Sequence, residues 1–298
     1  MRIQAIINIR AGTAAHLPAK ALRRTLTRAW AGAGHDGQVV LAEGKDIGRA
    51  VRAACADPAV DAVVIGGGDG SVSRALAAVA GAGKSLGILP LGTMNYVARE
   101  LGIPFDPAAA ATALAAGRSM RMDLGRVNGR LFMIRACLGL LPEFIRGRDA
   151  VRRQKKGGVL DAALAGILRA ACAYPLHRIA MVGEAGREDL LSPFVMVSNN
   201  LCRDGDPLLV SRQRLDGGVL GVYVGRDTDP LGMAGIGVQA LLGQWASNGQ
   251  MSRGSGTWLE IHADDPLLCL SIDGEIEEMA PPLRFDSMPG AVRVLLPG

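Results

Sequence analysis

Over the first 125 residues, short apolar runs rich in β-branched side chains alternate with longer stretches whose apolar positions recur every three or four residues. The runs at 3–9, 38–41, 62–65 and 86–89 read as strands, and the stretches at 17–30, 47–56, 72–80, 96–101 and 107–116 as helices. This alternation predicts a parallel sheet covered by helices on both faces. Ligands of such sheets bind outside the carboxyl ends of the strands.

Beyond Gly125 the pattern changes to short apolar runs separated by Gly, Asp and Pro turns, at 130–134, 178–182, 194–198, 219–224, 257–262, 267–272 and 292–295. Many short strands predict a largely antiparallel β domain. Helical patterns at 159–173 and 231–245 interrupt it, and each reads first as core. The chain carries no internal repeat.

Composition narrows the class. Of 298 residues, 49% are hydrophobic and 20% charged, as in a soluble globular protein. The N-terminal MRIQAIINIR has no cleavage pattern of a signal peptide, and the uncharged stretch 230–252, interrupted by Gln and Asn, is not expected to span a membrane. Five scattered cysteines without C-x-x-C spacing suit reduced thiols, and the dispersed histidines suggest no zinc site. A cytoplasmic, membrane-peripheral protein is expected. The net charge of +5 is uneven, with Arg146, Arg148, Arg152, Arg153, Lys155 and Lys156 set against Asp149 alone. Such a run is either a solvated face or a contact for an anionic membrane surface, worth about 1 kcal/mol per basic residue. At 4% aromatic residues, and with none inside the cluster, nucleic acid is not the expected partner.

The strand at 62–65 runs into Gly66, Gly67, Gly68, Asp69, Gly70 and Ser71, and a helical pattern follows. Glycines let backbone N–H groups approach a bound anion, and the helix N-terminus adds a positive dipole end. A carboxylate beside phosphate needs a bridging cation, so Asp69 points to Mg²⁺ or a water of its shell. The dinucleotide pattern G-x-G-x-x-G fails at Ser71, and the P-loop-like Gly81–Ser85 precedes a strand instead of following one. A second anion-friendly turn, PLGTMN, closes the strand at 86–89 and offers Gly92, Thr93 and Asn95.

GGGDGS at 66–71 followed by LPLGTMNYVARELGIP at 89–104 resembles the diacylglycerol kinase catalytic family, which includes bacterial lipid kinases and sphingosine kinases. The likeness continues through MDLGRVNGRLF (122–132), VSNN (197–200), LDGGVLGVYV (215–224), IDGE (272–275) and the closing PGAVRVLLPG. It implies a Rossmann-like α/β nucleotide-binding domain over 1–125 and a β-rich, mainly antiparallel lipid-substrate domain over 126–298, whose last strand can return to the first domain, with the active site in the cleft between them. It also implies ATP-dependent, Mg²⁺-assisted phosphorylation of a lipid hydroxyl such as that of diacylglycerol. By position, Gly66–Ser71, Gly92, Thr93, Asn95 and Asn8 would hold ATP, Asp69 and Asp123 the metal and its waters, and Glu275 would be the catalytic base.

A carboxylate within reach of a lipid alcohol can accept its proton during phosphoryl transfer, although Asp-Gly is also a common hairpin turn. Departures from the family pattern are a missing proline after Asn8, Ser73 in place of Asn, Met94 and Tyr96 near the second turn, and Gly217 where a second metal's aspartate stands, with Asp216 one residue earlier. Residues 138–145 and 231–245 are candidate walls for an acyl chain, and a homodimer is a further possible state. Alternatives are a kinase of a soluble substrate on the same fold and a non-catalytic lipid-binding regulatory protein.

Overall fold

The computed structural model describes residues 1–12, 18–44, 46–154, 158–203, 211–226 and 251–298. Lys155, Lys156 and the stretch 231–245 lie outside the described residues. The chain divides into two compact units, one of Met1–Leu124 with Pro289–Gly298 and one of Gly125–Met288.

The first unit runs β1 (Arg2–Asn8), α1 (Ala19–Gly32), β2 (Asp36–Ala42), α2 (Asp46–Ala56), β3 (Ala62–Gly67), α3 (Asp69–Val79), β4 (Ser85–Pro90), α4 (Tyr96–Glu100), α5 (Pro107–Ala116) and the start of β5 (Arg118–Val127). Its strands are parallel in the order β2-β1-β3-β4. Both β3 and β4 are buried along their whole length, which is why they are apolar or Gly at nearly every position instead of alternating. The helices give the sheet an apolar stripe each, such as Leu22, Leu26 and Trp30 on α1 and Ile47, Val51 and Ala54 on α2. Because β1 has β2 on one side and β3 on the other, the connections leave the sheet in opposite directions between β1 and β3. A crevice opens at the carboxyl ends of such a strand pair.

The second unit contains β6 (Arg130–Phe132), β7 (Arg135–Gly139), α6 (Leu140–Gln154), α7 (Val159–Ala173), β8 (His177–Gly183), β9 (Gly186–Ser192), β10 (Phe194–Asn199), β11 (Cys202–Arg203), β12 (Ser211–Arg212), β13 (Leu220–Gly225), β14 (Met251–Gly256), β15 (Trp258–Ala263), β16 (Leu268–Ile272), β17 (Glu275–Met279) and the first part of β18 (Leu283–Leu296). One antiparallel sheet has the order β14-β13-β10-β7-β16-β17. A second is built on β9, β8, β15 and the beginning of β18. The core takes side chains from both, among them Leu138, Val197 and Leu270 from the first and Ile179, Ile261 and Phe285 from the second. After leaving this unit, β18 pairs through Arg293 and Val294 with β4, in parallel.

The expected parallel α/β arrangement and the antiparallel β-rich region are both present. Helix α6 was not legible in the sequence, because Pro142 falls in its opening Leu-Leu-Pro-Glu. Proline is tolerated in a first helical turn, where its missing N–H has no intrahelical partner. The basic run therefore begins on a helix, and its first two members, Arg146 and Arg148, are paired. Arg146 meets Glu143 at 2.7 Å and Glu278 at 3.4 Å, and Arg148 meets Asp149 at 2.9 Å. Of the candidate acyl-chain wall at 138–145, Leu138 and Ile145 are interior core.

All five cysteines are free thiols, as their spacing suggested. Burial pushes Cys137 up to about 12 and also raises Cys202, whereas Cys172 is exposed. A thiol pushed that far up is un-ionised at pH 8, so thiolate chemistry there is suppressed. Native-state alkylation at pH 8 is expected to modify Cys172 within minutes and Cys137 and Cys202 only after denaturant is added; peptide mass spectrometry reads the result.

Candidate nucleotide and phosphoryl-transfer sites

Gly66 and Gly67 complete β3, so the connection to α3 is Gly68 alone, in extended conformation at the helix N-cap. Helix α3 thus starts at Asp69, three residues earlier than its apolar periodicity suggests. The reason is local, since the N–H groups of Ser71 and Val72 already donate to Gly68 O, at 2.9 and 3.2 Å. The turn after β4 lies directly against this one. Leu91 N donates to Gly67 O at 3.0 Å, and a Cβ on Gly92 would overlap Gly68 Cα. Two backbones in contact leave no space for a side chain. Gly92→Ala is expected to cost about 1–3 kcal/mol through overpacking. Urea denaturation measures it, and unchanged stability would show that the two turns do not touch.

Side chains fix this pair of turns. Asn8, ending β1, donates its Nδ2 hydrogen to Ser71 Oγ at 2.9 Å, while its Oδ1 accepts from Arg10 N at 3.0 Å. Asn95 is left-handed (φ 50°) and nearly buried, and its amide clasps Gly92 twice, accepting from Gly92 N at 2.9 Å and donating to Gly92 O at 2.8 Å. Half-buried Asp69 accepts from Val97 N at 3.4 Å.

Between these groups opens a pocket of about 280 Å³ lined by Asn8, Ala11, Gly12, Gly68, Gly70, Ser71, Arg74, Gly92 and Thr93. Among the described lining residues the only charge is the guanidinium of Arg74. Small residues, a hydroxyl, an amide and a cation at a helix start form a lining suited to an anion. Sequence reasoning missed Arg74, Ala11 and Gly12. Starting α3 at Asp69 would have found Arg74, because Ser71 and Arg74 are then three positions apart on one helix face.

Asp123, on β5, is 2% exposed and accepts from Gly290 N at 2.8 Å, fastening the returning chain within the first unit. In the second unit, Asp216 is paired with Arg214 at 3.0 Å, and that hydrogen bond holds its carboxyl below the usual carboxylate range. A Cβ at Gly217 would come within 2.6 Å of Asn200 Oδ1, so a side chain there would have to displace that amide. Among the described residues no three His, Cys, Asp or Glu side chains come together as a metal cage. Mg²⁺ does not need one, since it commonly keeps waters and takes one or two carboxylates plus substrate phosphates. Asp69, beside the anion-suited pocket, fits that pattern; Asp216 lies in the other unit, in an exposed ion pair with Arg214.

The IDGE segment forms the turn between β16 and β17, with Ile272 facing Glu275 and both central residues at positive φ (Asp273 48°, Gly274 87°). This is the conformation that Asp-Gly favours in tight hairpins. Asp273 Oδ2 accepts from Met133 N at 2.7 Å, and its Oδ1 from Ile134 N at 2.9 Å and Arg135 N at 3.1 Å. Burial pushes the Asp273 carboxyl up, against these three donors that favour its charge. Glu275 turns elsewhere and is about three-quarters buried. Arg130, from β6, reaches its Oε2 at 3.3 Å and Glu277 Oε1 at 2.7 Å, a contact that sequence reasoning also missed.

Comparison with known proteins adds three findings. The model of the diacylglycerol kinase catalytic domain matches residues 2–127. A Pseudomonas aeruginosa protein described as a probable lipid kinase YegS-like is 35% identical over 241 residues, spanning 79% of this chain and 76% of its own, and a Salmonella heidelberg probable lipid kinase YegS is 26% identical over 244 residues, spanning 80% and 79%. The crystal structure of a diacylglycerol kinase from Bacillus anthracis str. Sterne superposes with a TM-score of 0.76 at 18% identity, covering 98% of this chain and 96% of that one, a likeness of fold.

Proposed function

Because the chain belongs to the YegS-like lipid kinase family with a diacylglycerol kinase catalytic domain, we propose that it transfers the γ-phosphoryl group of ATP to the hydroxyl of a membrane lipid such as diacylglycerol. The observation that carries the reading is the crossing of Gly68 and Gly92 over a pocket where Ser71, Thr93, Asn8 and Arg74 converge. Nothing larger than glycine fits at position 92 of that crossing, and the lining suits a polyphosphate.

In this reading Gly68, Gly70, Ser71, Thr93 and Arg74 bind phosphate oxygens, while Asn8 and Asn95 hold the two turns in place. Asp69 would hold Mg²⁺ through its carboxylate or a water, and Asp123 acts by keeping the first unit's returning strand in register. When bound, Mg²⁺ supplies charge neutralisation of the phosphate oxygens. Glu275 accepts the proton of the lipid hydroxyl as that oxygen forms its bond to the γ-phosphorus and the bond to the ADP oxygen breaks. Arg130 restrains the Glu275 carboxylate. A lipid substrate also implies peripheral contact with a bilayer, and among the described residues no helix is long and apolar enough to cross one.

The test is incubation of the full chain with γ-labelled ATP, Mg²⁺ and fractionated lipid extracts. Label is expected in one or more lipid fractions and not with Asp69→Asn. Absence of labelled lipid from every fraction would overturn the reading, and label found only in water-soluble acceptors would move it to a soluble-substrate kinase.

A further inference from the structure

Charge is unevenly divided between the two units. Met1–Leu124 with Pro289–Gly298 holds fifteen Lys and Arg against nine Asp and Glu, whereas Gly125–Met288 holds eighteen against nineteen. The first unit therefore accounts for the whole net charge of +5. No acid precedes Asp36 in the chain, and Lys20, Arg23, Arg24 and Arg28 all fall on α1.

On that helix Leu22, Leu26 and Trp30 are buried, while all four cations are exposed. Lys20, Arg24 and Arg28 follow one another at intervals of four, two positions out of step with the buried set, and so form a stripe on the opposite face. Among the described residues none of the four cations is in an ion pair. The acids that follow α1 in the chain are engaged elsewhere, Asp36 with Arg2, Glu43 with Arg10 and Asp46 with Arg49. Two local effects oppose this arrangement. Like charges four positions apart repel along a helix, and Lys20 sits in the first turn, at the positive end of the helix dipole, with no acid beside it. A helix shaped by its own stability alone would interleave acids here; an external anionic surface removes both penalties.

The form of the stripe narrows the kind of surface. A second copy would bring two cationic faces together, and α1 offers no exposed aromatic ring for nucleic-acid bases, since Trp30 is fully buried. The headgroups of an anionic leaflet neutralise a row of cations without demanding a fixed geometry. The helix is also placed where a lipid kinase needs a bilayer. It takes the chain from the carboxyl end of β1, where Gly12 lines the anion-suited pocket, back to the start of parallel β2, so Lys20 stands at the pocket end of the first unit.

We propose that the outer face of α1 is an electrostatic docking surface for an anionic membrane leaflet, with Lys20, Arg23, Arg24 and Arg28 at the lipid phosphates. The choice of a bilayer rests on the lipid-kinase reading, but the surface is tested without turnover.

Phosphatidylcholine vesicles with about 30% phosphatidylglycerol are the probe, and pure phosphatidylcholine vesicles the blank. The native protein is expected to co-sediment with the anionic vesicles only, and to release them as salt is raised, because charge alone holds it there. K20Q/R23Q/R24Q/R28Q keeps helix propensity and is expected to lower vesicle affinity on the order of 500-fold, at about fivefold per cation, with an unchanged melting temperature. The milder R24Q/R28Q is expected to lose about 25-fold. R49Q/R52Q/R178Q/R187Q, which removes the same charge from exposed positions off α1, is expected to bind as the native protein does. The proposal is overturned if the native protein ignores the anionic vesicles, if neither α1 variant loses affinity, if the off-helix variant loses as much as the α1 variant, or if the α1 cations matter more for a double-stranded DNA probe than for the vesicles. Vesicle binding through α1 without any labelled lipid would leave the surface standing and remove the kinase reading; labelled lipid with binding independent of α1 would do the reverse.

Discussion

Asp273→Ala is expected to lower the stability of the protein by about 3–5 kcal/mol, because three backbone N–H groups lose their acceptor at once. Those of Met133, Ile134 and Arg135 all converge on this carboxylate, at 2.7–3.1 Å. Each orphaned buried donor costs about 1–3 kcal/mol, and alanine also tolerates the positive φ of this position poorly. Against a typical total of about 5–15 kcal/mol, this is a large fraction. Asp273→Asn keeps one oxygen acceptor and the same tolerance of φ, so its loss is expected to fall between wild type and alanine. Urea denaturation of the three proteins orders them. An alanine variant within about 0.5 kcal/mol of wild type, the usual range for an uninvolved surface site, would show that Asp273 does not hold the β7 segment in place.

Glu275→Gln is expected to do the opposite, lowering phosphoryl transfer about 10²–10⁴-fold, the usual worth of a general base, with little change in stability. Glu277→Gln is the control that gives this its meaning. Both carboxylates share Arg130, so both substitutions remove one of its ion-pair partners. Only the first removes a base. If the two variants lose turnover equally, Arg130 and its pairs are structural and proton removal belongs elsewhere; if Glu275→Gln retains full turnover on the labelled lipid, Glu275 is not the base. Two carboxylates in one four-residue segment thus have separable expected roles, one in stability and one in chemistry.

The alternating pattern of the first 125 residues determined the α/β class, and the short turn-bounded runs after it the antiparallel sheets, because burial period follows directly from secondary structure. The ordered glycine, Pro-Leu-Gly-Thr and Ile-Asp-Gly-Glu motifs marked the candidate site through their resemblance, taken together, to the diacylglycerol kinase catalytic family, and each is also a local turn whose residue types are set by its own backbone. What the sequence by itself could not determine depends on one local hydrogen-bonded turn and otherwise on contacts between distant segments. The start of α3 at Asp69 follows from a hydrogen-bonded turn at Gly68, and it brings Arg74 onto the face of Ser71. The overlap of Gly68 with Gly92 is a packing fact between two turns, invisible in either motif. Arg130 and Glu275, 145 positions apart, meet because β6 and the β16–β17 hairpin converge, and no local spacing encodes that pair. The exposure of Leu164, Ile167 and Leu168 on α7 is of the same kind, since an apolar periodicity of 3.6 says that a helix has an apolar face, and only the packing of its neighbours decides whether that face is covered.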